Sequence, residues 1–108
     1  MTRIGRLRHR LTLEAPVTDA DDIGGRSVAW TPVATMWAAI ETVNGKEIAA
    51  LGQTDAQLIH RITIRHRDGV GPAMRLRKGA RIFEIVSVRD PDGRKRFLVI
   101  HAIERTLA

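Results

Sequence analysis

Hydrophobic and polar residues alternate with a period of two at the start of the chain. Between residues 6 and 15, apolar residues and His9 take every second position, and arginines take most positions between them. Successive side chains of a strand point to opposite faces, so this alternation predicts a half-buried strand with an arginine-lined outer face. Pro16 is expected to end the strand, and the acidic, glycine-rich segment 19–25 is expected to form a turn.

The next stretch predicts two short strands and a helix. Residues 27–30 are expected to form a return strand that Thr31 and Pro32 stop, and residues 35–43 a third strand. The pattern then changes, and residues 44–52 predict a helix of two turns. Asn44 is a suitable N-cap, Glu47 completes a capping box three residues later, and Gly52 suits the position after the last turn.

The second half of the chain alternates again and contains no further helical pattern. A strong turn signal, Asp90-Pro91-Asp92-Gly93, separates the last two apolar runs. The strands expected here span residues 60–67, 74–77, 81–88 and 95–103. The sequence therefore predicts an all-β fold, a small β-barrel or sandwich of six to seven antiparallel strands with one short helix. No linker or repeat is visible, so a single domain is expected to cover residues 1–108.

Composition narrows the classes of function. The 108 residues include no cysteine, which excludes disulfides, thiolate zinc sites and cysteine nucleophiles. Lys and Arg number 18 against 12 Asp and Glu, for a formal net charge of +6, and 15 of the 18 basic residues are Arg. Guanidinium groups bind carboxylates and phosphates in a bidentate way, so acidic partners are expected. No apolar run approaches the roughly 18 residues of a transmembrane helix.

No catalytic constellation is visible in the sequence. The four histidines, at positions 9, 60, 66 and 101, lack the helical spacing of metal ligands, and no G-x-S-x-G nucleophile elbow occurs. The acidic turn lacks the spacing of a calcium-binding EF-hand loop. We therefore assign no catalytic residue, no metal ligand and no cofactor, and we expect the protein not to be an enzyme.

Nucleic-acid binding is the main alternative that the residues leave open. Several arginines are expected to project from outward strand faces, where they can follow phosphates: Arg8, Arg10, Arg61, Arg65 and Arg67. Readers of single strands also need exposed aromatic residues for stacking. The aromatic residues lie among apolar neighbours and are expected in the core: Trp30, Trp37, Phe83 and Phe97. Binding by such a basic barrel would be nonspecific and sensitive to salt.

Taken in order, the motifs of the chain resemble those of a known family. The opening GRLRHRLTLEAP is similar to the first strand of the head–tail joining proteins, also called head-closure or stopper proteins, of tailed bacteriophages, prophages and gene transfer agents. DDIGGRSVAW, MWAAIETVNGKEIAAL, HRITIRHRDGV and MRLRKGARIFEIVSVRDPDGRKRFLVIHAIE resemble the elements that follow. The resemblance extends from about Gly5 to Glu104. Each motif alone is weak, and their order and spacing are the specific signal.

The resemblance implies a structural role in the neck of a virion or phage-like particle assembled in a bacterial cytoplasm. It implies a small β-barrel with a short helix, and a dodecameric ring that joins the DNA-filled head to the tail. The implied partners are other copies of the chain, a portal or adaptor ring, a tail terminator or tail tube protein, and packaged double-stranded DNA. In some members a loop enters the central channel and helps to retain DNA. By order along the chain this loop corresponds to residues 41–57, with candidate channel residues Asn44, Lys46, Glu47, Gln53, Thr54 and Asp55.

Ring assembly also gives the charge pattern a use. Subunits with a basic face and an acidic tip can join head-to-tail, which is a heterologous interface that closes into a ring. The candidate interface residues are Arg8, Arg10, Asp19, Asp21, Asp22, Arg61, Arg65 and Arg67. The sequence leaves open whether the particle is a phage, a prophage or a gene transfer agent, and whether the ring is an adaptor or a stopper.

Overall fold

The chain folds into a closed, six-stranded antiparallel barrel. The computed structural model describes residues 7–20, 26–43, 52 and 59–106. The strands are β1 (His9–Ala20), β2 (Arg26–Thr42), β3 (Ile59–Arg65), β4 (Arg75–Lys78), β5 (Arg81–Arg89) and β6 (Phe97–Thr106). Their order around the barrel is β1-β2-β3-β6-β5-β4. The predicted all-β class is confirmed, while the helix predicted at 44–52 lies almost entirely outside the described residues.

Side chains from every strand fill the barrel interior, because alternate residues point inward. Leu11 and Leu13 of β1 and Ile62 and Ile64 of β3 are completely buried, as the alternation in the sequence predicts. The core cluster consists of Leu11, Leu13, Ala38, Ile62, Ile64, Leu76, Phe83, Ile85, Leu98, Ile100 and Ala102. Closure pairs β1 with β4, so the barrel wall exposes few unpaired backbone groups.

The prediction that Pro16 ends the first strand is wrong. Strand β1 continues through Pro16, which lies opposite Trp30, and ends at Ala20. Strand β4 pairs with β1 only from Thr12 to Glu14. Beyond Glu14, that side of β1 has no partner strand among the described residues, and a proline is tolerated where no ladder hydrogen bond is needed.

The prediction of two separate strands at 27–30 and 35–43 is also wrong, because β2 runs without a break through Pro32. The pairing with β1 shifts there: Leu13 lies opposite Ala34, and Glu14 lies opposite Pro32. Val33 is therefore the extra residue of a β-bulge, a site where a proline does not interrupt the ladder.

The outer part of the β1–β2 hairpin extends away from the barrel. Residues 15–20 and 26–31 pair with each other, and neither segment pairs with another described strand. We call this two-stranded ribbon the β1–β2 arm. Six residues at about 3.4 Å each give it a length of about 20 Å. The molecule measures 50 × 30 × 26 Å, consistent with an extension on one side.

In the second half, the strands lie close to their predicted positions. Strand β3 ends at Arg65, two residues earlier than expected, and β6 begins at Phe97 instead of residue 95. The later start of β6 follows from the preceding turn. The Asp90 carboxylate accepts hydrogen bonds from the backbone N–H groups of Gly93 and Lys95, and Lys95 has a φ of 56°, which is incompatible with a strand.

Candidate functional site

Trp37 lies on the outside of the barrel. Its side chain is 55% exposed, which makes it the most exposed large hydrophobic residue of the described part of the chain. The expectation that all four aromatic residues are in the core is therefore wrong for Trp37. It holds for Phe83, which is buried, while Trp30 and Phe97 are half-buried. The alternation of side chains along β2 explains why Trp37 is exposed. Ala38 and Ile40 point inward, so the neighbouring Trp37 points outward.

Arginines surround Trp37 on the same outer face. Arg10 lies opposite Trp37 on β1, with its guanidinium carbon 5.9 Å from the ring centroid. On β3, Ile64 pairs with Ala38, so the next residue, Arg65, falls on the other side of Trp37. We call the exposed residues of this surface the Trp37 face: Arg8, Arg10, Thr35, Trp37 and Arg65. The face contains no acidic residue.

Two of the predicted interface arginines lie elsewhere. Arg61 is half-buried, and its guanidinium donates to the Glu41 carboxylate at 2.7 Å, so its charge is locally compensated. Arg67 follows the end of β3, and its Nε donates to the Asp68 carbonyl at 3.4 Å. The structure thus brings three of the five candidate arginines, Arg8, Arg10 and Arg65, onto one face.

The other candidates lie outside the residues whose side chains are described. Asp19 is part of β1, but only its backbone is described, and Asp21 and Asp22 fall in the undescribed connection between β1 and β2. The candidate channel residues are likewise outside the described part: Asn44, Lys46, Glu47, Gln53, Thr54 and Asp55. Their assignment stays a prediction.

A buried ion pair stands at the foot of the β1–β2 arm. Glu14 is only 6% exposed, and its carboxylate accepts a hydrogen bond from Arg75 Nε at 2.7 Å, with Arg77 Nη1 at 3.8 Å. The Arg75 guanidinium also lies 4.2 Å from the centroid of the Trp30 ring. Arg75 of β4 therefore contacts Glu14, the last β1 residue before the arm, and Trp30 of the arm. Sequence reasoning missed this contact because Arg75 is 61 residues away from Glu14.

A second polar cluster closes the barrel end opposite the arm. The Glu104 carboxylate accepts hydrogen bonds from Arg81 at 2.6 and 3.0 Å and from His60 Nε2 at 2.6 Å. The Arg81 hydrogen bonds lower the pKa of Glu104, and Glu104 in turn raises the pKa of Arg81. His60 Nδ1 is buried and finds no hydrogen-bond partner among the described residues.

His9 lies at the same end of the barrel. Its Nδ1 accepts a hydrogen bond from Lys78 Nζ at 2.9 Å, which requires the neutral ring. Burial lowers the pKa of His9, and the positive charges of Lys78, Arg81 and Arg8 lower it further.

The described residues contain no group of three or more His, Asp or Glu side chains placed to hold a metal ion. No helix in the described ranges is long and apolar enough to cross a membrane.

One family model matches nearly the whole chain, and two solved structures have a similar fold. The family model described as phage head completion protein matches residues 2–105. A chain in the virion of a native gene transfer agent particle superimposes with a TM-score of 0.72 and 26% identity, over 94% of this chain and 96% of the other. The solution structure of protein SF1141 from Shigella flexneri 2a gives a TM-score of 0.70 and 30% identity, over 95% and 96% of the two chains. A search of curated proteins finds no match.

Proposed function

The chain belongs to the phage head completion protein family, and from that premise we propose that it forms a ring which connects the portal or adaptor of a DNA-filled head to the tail. The resemblance stated from the sequence motifs is thereby confirmed. Head completion is a structural role in a virion or phage-like particle, and the family is not a family of enzymes. The ring, its partners and its action on DNA are the proposed part.

The Trp37 face carries this proposal. An exposed tryptophan flanked by arginines has the composition of a protein–protein interface, where Trp and Arg are enriched among the residues that dominate binding energy. The barrel is closed, so strand addition to its wall is not available to a partner. Contacts through a side-chain face are the remaining way for the barrel wall to bind a neighbour.

A ring of identical subunits needs two different complementary surfaces on each subunit. The Trp37 face supplies a basic surface, and Asp19, Asp21 and Asp22 supply an acidic one at the end of the β1–β2 arm. We propose a dodecamer by analogy with the family resemblance. A portal or adaptor ring on one side and a tail terminator or tail tube protein on the other are the proposed neighbours.

The connection between β2 and β3 is the proposed contact with packaged double-stranded DNA. Strand β2 ends at Thr42 and β3 begins at Ile59, so the connection joins strands at the barrel end opposite the β1–β2 arm. The segment 41–57, which includes Lys46, Glu47 and Asp55, is not strongly basic. That charge suits a channel loop, because a loop that retains DNA must also release it during ejection.

The test of the proposed function is a charge reversal on the basic side of the barrel. We expect Arg65→Asp combined with Arg67→Asp to abolish head–tail joining and to leave the monomer folded. Joined particles are counted by electron microscopy, and folding is checked by circular dichroism. The matched control is Arg94→Asp with Lys95→Asp, the same change of charge in the exposed β5–β6 turn. Normal joining by the Arg65 and Arg67 variant would refute the proposal.

Nonspecific nucleic-acid binding is the second candidate function. The exposed Trp37 beside Arg10 and Arg65 favours it, because an aromatic ring among cations can stack on a base. The discriminating measurement is the affinity of the isolated protein for DNA as a function of salt concentration. A steep fall with salt that Arg10→Ala and Arg65→Ala together remove, with normal joining by that variant, would support nucleic-acid binding over ring assembly.

A further inference from the structure

We propose that the Trp37 face is the docking site for the acidic end of the β1–β2 arm of a second copy of this chain. The inference rests on the proposed ring and specifies its subunit contact. The face provides two exposed guanidinium groups, from Arg10 and Arg65, on the two sides of one exposed indole. The arm end provides three carboxylates within four residues, at Asp19, Asp21 and Asp22.

The chemistry of the two surfaces is complementary. Guanidinium groups bind carboxylates through two parallel hydrogen bonds, and such pairs are stronger than neutral hydrogen bonds. The nearest acidic residue on the outer face of β2 is Glu41, and Arg61 already occupies it at 2.7 Å. No ion pair with a described side chain therefore neutralises Arg10 or Arg65 within the Trp37 face. A carboxylate donated by another molecule suits these guanidinium groups.

The reach of the arm decides which copy supplies the carboxylates. Arg10 and Asp19 lie on the same continuous strand, nine residues apart, which corresponds to about 30 Å. Strand β1 is paired with β2 along this whole length, so the arm end cannot turn back to its own Trp37 face. The contact must therefore join two copies. When each arm docks on the next copy around the particle axis, the contact is heterologous, as ring closure requires.

The direction of the arm is set by the contacts at its foot. Arg75 of β4 binds the buried Glu14 carboxylate at 2.7 Å and stacks on the Trp30 ring at 4.2 Å. These contacts attach the base of the arm to the barrel, at Trp30 and at the β1 residue directly before the arm. An arm attached at its base loses less conformational freedom on docking, which favours binding.

The absence of native cysteine provides a direct test. We would place one cysteine at the arm end and one on the face, Ala20→Cys with Thr35→Cys, in the full chain within assembled particles. The matched control moves the second cysteine to the opposite end of the barrel, Ala20→Cys with Ala80→Cys, where Ala80 is exposed in the β4–β5 turn. After mild oxidation, non-reducing electrophoresis reports disulfide-linked multimers, and each single variant reports the background.

The expected result is a ladder of multimers from the 20/35 pair, at least about tenfold stronger than from the 20/80 pair, because a disulfide requires Cα atoms closer than about 7 Å. The docking site would be overturned if joined particles contain the protein but the 20/35 pair gives no ladder, or if both pairs give equal ladders. Either outcome would leave the proposed ring intact. Joined particles that lack the protein would overturn the proposed function and this inference with it.

A charge exchange provides a second measurement that does not depend on cysteine geometry. Arg10→Asp with Arg65→Asp should abolish joining, and Asp19→Arg with Asp22→Arg should abolish it as well. All four changes in one chain should restore joined particles, because the reversed face then meets a reversed arm end. If the fourfold variant folds as stably as the two double variants, judged by its melting curve, and still does not form joined particles, the pairing of these two surfaces is contradicted. Particles joined normally by the Arg10 and Arg65 variant, with only DNA binding lost, would assign the face to nucleic acid.

Discussion

Single side chains at one barrel end couple stability to pH, and Glu104 is the clearest case. Hydrogen bonds from Arg81, together with that from His60, lower its pKa below the usual range, although burial opposes the shift. A lowered folded-state pKa means that the carboxylate stabilises the fold above its unfolded-state pKa of about 4.3. That contribution is lost as the pH falls through the folded-state value.

We predict that Glu104→Gln lowers the free energy of unfolding at pH 7 by about 1–3 kcal/mol, because it weakens charge-assisted hydrogen bonds at a buried site. The variant should also lose less stability than the parent between about pH 4.3 and the folded-state value. Urea unfolding at several pH values measures both effects. The control is Glu84→Gln, whose carboxylate and partner Arg105 are exposed and should contribute at most about 1 kcal/mol. Equal losses of stability in Glu104→Gln and Glu84→Gln would contradict the stabilising role of the Glu104 carboxylate.

His9 is predicted to titrate below its usual value of about 6.5. Burial and the positive charge of Lys78 favour its neutral ring, so stability is present above about pH 6.5 and declines as the pH falls towards the folded-state pKa. Lys78→Met removes the nearest cation and should raise the pKa of His9. An NMR titration of the His9 ring measures the shift, with Arg89→Met on another strand as the control. A fall in the pKa after Lys78→Met would be inconsistent with this geometry.

At the scale of elements, a buried ion pair attaches the base of the arm to β4. Arg75→Ala leaves the Glu14 carboxylate buried with only Arg77 nearby, and it removes the stacking on Trp30. We predict a loss of about 3 kcal/mol in the free energy of unfolding, because breaking a buried pair leaves a charge without its partner. Arg77→Ala is the matched control, since Arg77 is 3.8 Å from Glu14 and 42% exposed. It should cost less than about 1 kcal/mol.

The arm itself should be dispensable for folding. Removal of residues 18–19 together with their pairing partners 27–28 shortens both strands equally and preserves the register and the faces of the rest. We predict a cooperative melting transition close to that of the parent, since these residues pair only with each other. Joining should fail, because the arm end withdraws by about 7 Å. A melting temperature far below the parent's would show that the arm contributes to the barrel core.

At the scale of the whole molecule, closure makes the barrel self-sufficient. Six strands pair in a ring around a core that contains completely buried Leu, Ile and Phe side chains. We predict that the isolated chain unfolds in one cooperative step with a urea midpoint that does not change between about 1 and 100 µM protein, because no partner is needed to complete the core. A midpoint that rises with concentration would mean that the fold depends on assembly.

The fold class could be predicted because the relevant signal is local. Inward and outward positions alternate along each strand, so the burial of Leu11, Leu13, Ile62 and Ile64 could be predicted from the sequence. The turn at residues 90–93 is equally local, because Asp90 binds backbone groups within five residues of itself. The order of such local motifs also carries the family resemblance, which the match over residues 2–105 confirms.

The errors concern properties that depend on how one strand pairs with another. Pro16 and Pro32 appear in the sequence as strand breakers, and they are tolerated because one lies on an unpaired side of β1 and the other at a bulge. The candidate site divides in the same way. The outward direction of Arg10 and Arg65 follows from the alternation of side chains along their strands. Their position beside the exposed Trp37 depends on the register of β2 with β1 and β3.

Residue spacing along the chain was enough to predict the all-β class, the inward-facing core residues of β1 and β3, the arginine-lined outer face of β1 and the family. Three features became visible only in the three-dimensional structure: the closure of the barrel, the extension of the first hairpin as an arm, and the three arginines that share a face with Trp37. The physical reason is that strand order and register are set by packing between segments tens of residues apart, which periodicity within a segment does not encode.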